Sequence, residues 1–222
     1  MKKVSVTFPI LMLLSFASGA QLLYGIKAGP QFTKRNVFDQ SGLQMAITQV
    51  PLLSVDAAVT AFIPLDENFY FHTSLGYSGK GVKVKNLLFM DPLGNNIGSA
   101  VLNQLINYAV FSIPLNYKTT VSKTVDLYFG AGPYIGYAVS GHDKVKGIDY
   151  NNGNTTTTSL DFSKGGYRRW DGGLRIEISL VLQKQWMAAL SYEAGLTNVA
   201  NSSSTLRNNA LGFSVGYLLP GK

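Results

Sequence analysis

The stretch Val125-Asp-Leu-Tyr-Phe-Gly-Ala-Gly-Pro-Tyr-Ile-Gly-Tyr-Ala-Val139 sorts its residues onto two faces with a period of two. Val125, Leu127, Phe129, Ala131, Pro133, Ile135, Tyr137 and Val139 fall on one side. Asp126, Tyr128, Gly130, Gly132, Tyr134, Gly136 and Ala138 fall on the other. A long strand that is apolar on one face and small or polar on the other fits hydrocarbon outside and a crowded polar interior inside.

Working outward, seven further segments repeat the pattern: Leu22 to Thr33, Leu53 to Ile63, Phe69 to Lys80, Asn107 to Lys118, Arg169 to Leu182, Trp186 to Thr197 and Asn209 to Leu219. In the Arg169 segment Trp170, Leu174, Ile176, Ile178, Leu180 and Leu182 form one face, against Asp171, Gly173, Arg175, Glu177 and Ser179. The connections alternate in length. Long polar stretches, 34–51, 81–106 and 141–165, follow the first, third and fifth segments, while tight links at Asp66-Glu-Asn68, Thr119 to Thr124 and Gln183-Lys-Gln185 follow the second, fourth and sixth. Within the second long stretch, Ile97, Val101, Leu102 and Leu105 suit a short amphipathic helix or a β-extension. Together these features predict an all-β chain folded as an eight-stranded antiparallel up-and-down transmembrane β-barrel, with its short turns facing the periplasm.

A soluble β-sandwich or lipocalin-like barrel also alternates, because one face of each strand meets a core. These segments run longer than the ~5 or 6 residues of an average soluble strand. Aromatics stand near their ends, at Tyr24, Phe69, Tyr117, Trp170, Trp186 and Tyr217, as in the girdles of a membrane barrel. Their minority face carries glycine and charge, which a soluble core does not repeatedly present.

The N-terminus reads as an export signal: Lys2 and Lys3, an apolar run from Val4 to Ala17, then Ser18, Gly19 and Ala20, with cleavage expected after Ala20. The run is shorter than the ~20 residues of a spanning helix. Taking residues 1–20 from 222 leaves 202 for one outer-membrane barrel domain, 21–222, and removing Lys2 and Lys3 lowers the formal charge from +7 to +5. No interleaving of aromatic and basic residues points to nucleic acid. The absence of cysteine excludes disulfides and thiolate metal sites.

An eight-stranded barrel is filled by its inward side chains, so charges there need partners. The inward set comprises Lys27, Asp56, His72, Asp126, Asp171, Arg175, Glu177 and Glu193, among Tyr70, Tyr128 and Tyr134. It is expected to form a polar network that fixes register, with Arg175 near its centre. Inward glycines leave open a second reading, a narrow small-solute path. His72 and Ser74 share a face with Asp56 on the neighbouring strand, a Ser-His-acid set by residue type but without a nucleophile elbow. His142 sits in a loop with no second metal ligand of the right kind nearby. No cofactor is expected.

Six motifs in order carry a resemblance: Tyr24-Gly-Ile-Lys-Ala-Gly-Pro-Gln-Phe32, Ile113-Pro-Leu-Asn-Tyr-Lys118, Tyr128-Phe-Gly-Ala-Gly-Pro-Tyr134, Asp171-Gly-Gly-Leu-Arg175, Tyr192-Glu-Ala-Gly-Leu-Thr-Asn198 and Gly212-Phe-Ser-Val-Gly-Tyr217. Over nearly the whole chain after Ala20 it resembles the PorT-like outer-membrane β-barrel domain family of Gram-negative bacteria. The resemblance implies an eight-stranded outer-membrane barrel; most such proteins have no established activity, and one branch is tied to protein secretion. The chain departs from many barrels in ending Tyr217-Leu-Leu-Pro-Gly-Lys222 rather than in a terminal aromatic, which leaves Tyr217 or Leu219 as the end of an insertion signal.

The functional expectation is a non-enzymatic protein in contact with outer-membrane lipid. Its loops at 34–51, 81–106 and 141–165 are expected to meet envelope or surface partners, in envelope integrity or as a secretion accessory. The alternatives are the small-solute channel and a lipid-modifying barrel enzyme using His72.

Overall fold

The computed structural model describes residues 22–38, 49–90, 93, 96–147, 154–162, 166–201 and 204–220. The expected leader, 1–20, lies outside them. Eleven strands form one antiparallel sheet: β1 (Leu23–Phe38), β2 (Gln49–Val50), β3 (Leu52–Pro64), β4 (Phe69–Met90), β5 (Asn96–Ser112), β6 (Leu115–Ser122), β7 (Val125–Gly147), β8 (Thr155–Ser159), β9 (Trp170–Leu182), β10 (Trp186–Gly195) and β11 (Thr205–Pro220).

The sheet closes on itself. β1 pairs with β3 on one side and β11 on the other, and the ring continues through β4, the β5–β6 stave, β7, β9 and β10. That makes eight staves. β5 and β6 count as one because Ile113-Pro114 interrupts a single crossing: proline has no N–H for the ladder. The wall stays joined there, since Ile113 N–H donates to Pro133 O (3.1 Å) and Pro114 O accepts from His72 N–H (3.0 Å).

The opening stretch keeps its two faces in three dimensions. Phe129, Ile135, Tyr137 and Val139 are exposed, and Tyr128, Tyr134, Gly136 and Ala138 are buried. Around the ring, Ile26, Val55, Val59, Leu75, Leu174, Ile176, Ile178, Phe213 and Val215 are each at least half exposed, giving an apolar belt on the outer surface. A monomer in water exposes apolar patches of only a few hundred Å². From Trp170 to Leu182, β9 rises ~40 Å, which at the usual ~40° tilt crosses about 30 Å, the thickness of a bilayer core.

Several strands run further than the sequence suggests. The expected loops 81–106 and 141–165 are largely hairpin: β4 extends to Met90, β5 begins at Asn96, and β7 runs to Gly147 with β8 paired beside it. His142 is accordingly a strand residue, paired with Leu105 and Ser159. Of the two options for Ile97 to Ile106, the β-extension forms. Val82-Lys-Val-Lys85 alternates as the barrel strands do, and the threonines of β8 are β-branched, so these segments satisfy their backbones by pairing. β1 likewise continues to Phe38.

Two apolar clusters close the interior. At the short-turn end Leu23, Phe62, Tyr128, Val181, Met187 and Leu218 pack together, with Tyr70 against them. At the long-loop end Ile106, Tyr108, Val110, Tyr134 and Ala138 form the second cluster, covered by Leu160, Phe162 and Tyr167. Several inward glycines, though not Gly136 or Gly212, are points of close backbone approach rather than openings. A Cβ on Gly25 would lie 1.9 Å from Tyr217 O, and one on Gly130 would lie 2.1 Å from Leu115 O.

Candidate functional site: the charged layer and the two rims

Between the apolar clusters lies a continuous chain of ion pairs. Inward positions on β4, β9 and β10 supply it, because alternation puts His72 and Lys80, Asp171, Arg175 and Glu177, and Glu193 on the same side of the wall. His72 Nδ1 meets Glu177 Oε1. Glu177 Oε2 accepts from Arg175 Nε at 3.1 Å, and Arg175 Nη1 donates to Glu193 Oε1 at 2.9 Å. Lys80 Nζ lies 2.7 Å from Glu193 Oε2 and 3.0 Å from Asp171 Oδ2, and sits 3.9 Å from the centre of the Tyr134 ring. Asp171 also accepts from Asn208 Nδ2 (3.3 Å), which in turn touches Tyr108 Oη. Strand register makes the Arg175–Glu193 contact direct, since the two residues are opposite partners on β9 and β10.

The inward set from the sequence divides in the structure. His72, Asp171, Arg175, Glu177 and Glu193 are linked as described, and Lys27 is buried where the charges of Arg175, Glu177, Asp56 and Glu193 act on it. Asp56 is half-buried, near Arg175 and Lys27. Asp126 stands apart. It lies one residue from the β6–β7 turn, 3.3 Å from Lys118 Nζ at the short-turn mouth, with Thr120 Oγ1 donating to it at 2.8 Å. Lys80, Thr60, Asn116, Tyr108 and Asn208 belong to the network but are absent from the sequence-derived set. Alternation marks Thr60 and Asn116 as inward, and the Val82-Lys-Val-Lys85 alternation marks Lys80 as mid-strand.

The set His72, Ser74 and Asp56 does not assemble, because Ser74 Oγ bonds Ser112 Oγ at 2.7 Å. A different arrangement forms instead: Thr60 Oγ1, His72 Nε2, His72 Nδ1 and Glu177 in line. Glu177 faces Nδ1, so that nitrogen carries a proton, and Thr60 Oγ1 lies within reach of both His72 Nε2 and the Thr73 carbonyl oxygen, the latter at 3.1 Å. The residue order is that of a nucleophile, base and acid, but all three side chains are buried, whereas a catalytic nucleophile has to be open to substrate. Phe62 is stacked on the imidazole, with centroids 4.0 Å apart and 5° between planes, and covers its face.

The outer surface has two aromatic rims. Tyr24, Phe69, Tyr117, Trp186 and Tyr217 are exposed near the short turns, with Phe69 on Tyr117 (5.5 Å) and Trp186 on Tyr217 (5.0 Å) edge to face. Trp170 stands at the opposite rim against Tyr137, at 4.9 Å, with exposed Tyr192 on the neighbouring β10 and exposed Tyr77 further round the ring on β4. Beside Trp170 a cleft of about 640 Å³ is lined by Phe162, Arg168, Arg169, Thr197, Asn198 and Asn201 among others. Arg168 Nε donates to Asn201 Oδ1 at 3.1 Å, while Arg169 lies over the Phe162 ring at 4.7 Å and donates to Ala138 O at 2.9 Å.

The chain matches the family model for the outer membrane protein beta-barrel domain over residues 15–201. No curated protein matches it. Among solved structures it is similar to Ail, the attachment invasion locus protein of Yersinia pestis, at 11% identity, covering 90% of this chain and 100% of that one with a TM-score of 0.39. It is also similar to Neisserial surface protein A (12% identity, 88% and 96% covered, TM-score 0.40) and to the outer membrane protease OmpT from Escherichia coli (7% identity, 92% and 98% covered, TM-score 0.42). With a family match over most of its length, a closed eight-stave ring and an apolar outer belt, the protein belongs to the outer membrane beta-barrel domain family and is a protein of the outer membrane.

Proposed function

We propose that this protein is a sealed, non-enzymatic barrel of the PorT-like branch whose work is done by its long hairpins, as a docking platform for envelope or surface partners, with a secretion accessory role as one form of it. The observation that carries the reading is the contrast between interior and rim. The interior is shut by two apolar clusters and a charged layer, whereas β7 spends its last ten residues, Ala138–Gly147, beyond the belt. At ~3.3 Å per residue that is ~33 Å of paired strand for which the bilayer has no need.

Two features support the sealed, inert reading over its alternatives. A conduit requires the inward glycines to leave gaps, and at Gly25, Gly29, Gly76, Gly130 and Gly173 an added Cβ would meet backbone of the next strand within about 2.1 Å. A hydrolase requires a nucleophile and base that substrate can reach, and Thr60, His72 and Glu177 are all buried, with Phe62 stacked on the imidazole. The short turns are assigned to the periplasm by the usual topology of such barrels, with the hairpins outside.

A photo-crosslinking residue placed at Lys85 in the β4–β5 hairpin is expected to give discrete protein adducts in native outer membranes, and one at Lys184 in a short turn is not. Planar-bilayer recordings are expected to show no single-channel steps. Identical adducts from both positions would overturn the docking role, and regular conductance steps would overturn the sealed interior.

A further inference from the structure

The charge of this barrel is segregated along its axis. By sequence, the long-loop side, 34–51, 81–106, 141–169 and 198–207, holds ten Lys and Arg against five carboxylates, Asp39, Asp91, Asp143, Asp149 and Asp161. The short-turn segments, 64–68, 118–126 and 183–185, hold three of each sign. The interior layer is close to balanced, with Lys27, Lys80 and Arg175 against Asp56, Asp171, Glu177 and Glu193. The excess positive charge therefore sits at one rim, where the barrel meets one leaflet.

At that rim the cations lie over aromatic floors on the outer wall. Arg168 and Arg169 directly precede Trp170, which is 57% exposed in the belt, and they line the 640 Å³ cleft with the amides of Asn198 and Asn201. A quarter of the ring away, Lys34 and Asn36 stand above Phe32, Tyr192 and Leu211 in a second cleft of about 370 Å³. Both clefts therefore combine a cation and amide donors at headgroup height with an apolar face below. An anionic headgroup carrying acyl chains fits this on both counts: guanidinium and amide donors suit phosphate oxygens, and the floor suits chains.

We propose that the cleft at Arg168, Arg169 and Trp170, with the Lys34 cleft as a second site, holds the phosphorylated glycolipid of the outer leaflet, lipid A, by its phosphates. The proposal rests on the outward orientation of the hairpins given above, and it names the lipid partner of that rim. Trp170 and Tyr137 fix the depth, and Arg168, already oriented by Asn201, presents its remaining N–H groups to the phosphate.

The test uses the full chain folded into nanodiscs of zwitterionic phosphatidylcholine with a minor fraction of bisphosphorylated lipid A, followed by native mass spectrometry of the lipid retained in detergent. Retention of up to two lipid A molecules by the wild type is expected, with one of the two lost in Arg168→Gln and one in Lys34→Gln, about tenfold less lipid A in the double variant, and no change for Lys184→Gln at the other rim. Dephosphorylated lipid A is expected to be retained at least tenfold less. Heat-modifiable migration checks folding of each variant, and Arg168→Gln is the primary variant because Arg169 also holds the Ala138 carbonyl. Unchanged retention by Arg168→Gln, equal retention of the dephosphorylated lipid, or displacement by millimolar inorganic phosphate with no preference for lipid A would each overturn the site. Failure of the wild type to insert into lipid-A-free discs would instead count against the barrel's membrane placement, so the two failures are distinct.

Discussion

Replacing Arg175 with methionine removes the cation that joins the two halves of the charged layer while keeping most of the side-chain volume. Two charge-assisted hydrogen bonds disappear, the 3.1 Å bond to Glu177 and the 2.9 Å bond to Glu193. Each is worth about 1.5–3 kcal/mol where a charged group is involved, so their loss is about 3–6 kcal/mol. That agrees with the roughly 3–5 kcal/mol for breaking a buried pair and stranding its partner. The carboxylates are not left bare: Glu177 keeps His72 and Asn116, and Glu193 keeps Lys80. The lower half of the range, about 3 kcal/mol, is therefore the expected value. With a urea slope of about 1–3 kcal/mol per molar, the unfolding midpoint in detergent should fall by about 1–3 M. The assay is urea titration of the purified barrel, read by the heat-modifiable band and by tryptophan fluorescence. Adding Glu193→Gln removes one stranded carboxylate, so the double variant should lose less than the sum of the two single variants, with a coupling above about 1 kcal/mol. A midpoint unchanged in Arg175→Met, or strict additivity in the double variant, would refute the account of the layer.

Further predictions concern the wall itself. Gln183 and Lys184 hold φ of 51° and 58°, the left-handed region that disfavours side chains, in the tight β9–β10 turn. Gln183→Asn with Lys184→Gly supplies the residues this turn geometry prefers and should raise stability by about 1 kcal/mol in the same titration; a lower midpoint would contradict the assignment. Gly130→Val should abolish the heat-modifiable form, because its Cβ falls 2.1 Å from backbone, whereas Gly212→Ala should fold, its nearest neighbour being the Ser191 hydroxyl at 3.1 Å. Equal folding of the two glycine variants would undo the close-approach argument.

Period-two patterning made the staves legible because each face meets a different solvent, and Val125 to Val139 shows it over a full crossing. What it could not supply was depth. Asp126 and Glu177 both point inward by parity, yet Asp126 lies beside a turn and pairs with Lys118 at the mouth, while Glu177 lies in the middle. Lys80 was placed at the end of a strand because the lysines after it resemble a solvated loop; pairing of β4 with β5 carries the strand on and leaves Lys80 deep in the network. Cross-ring contacts such as His72 with Glu177 depend on closure and shear, which no single segment encodes. The long-loop rim was hidden for a related reason: Tyr137 reads as outward, but only the pairing of β7 with β9 sets it beside Trp170.

The central claim is that the barrel spans the outer membrane with its hairpins outside and its short turns within. The chain contains no cysteine, so single cysteines report position without background. Lys85→Cys in the β4–β5 hairpin and Lys184→Cys in the β9–β10 turn are to be treated on intact cells with a membrane-impermeant maleimide. The account predicts labelling of Lys85→Cys on intact cells and of Lys184→Cys only after the outer membrane is permeabilised. Labelling of Lys184→Cys on intact cells, with Lys85→Cys protected, would contradict it.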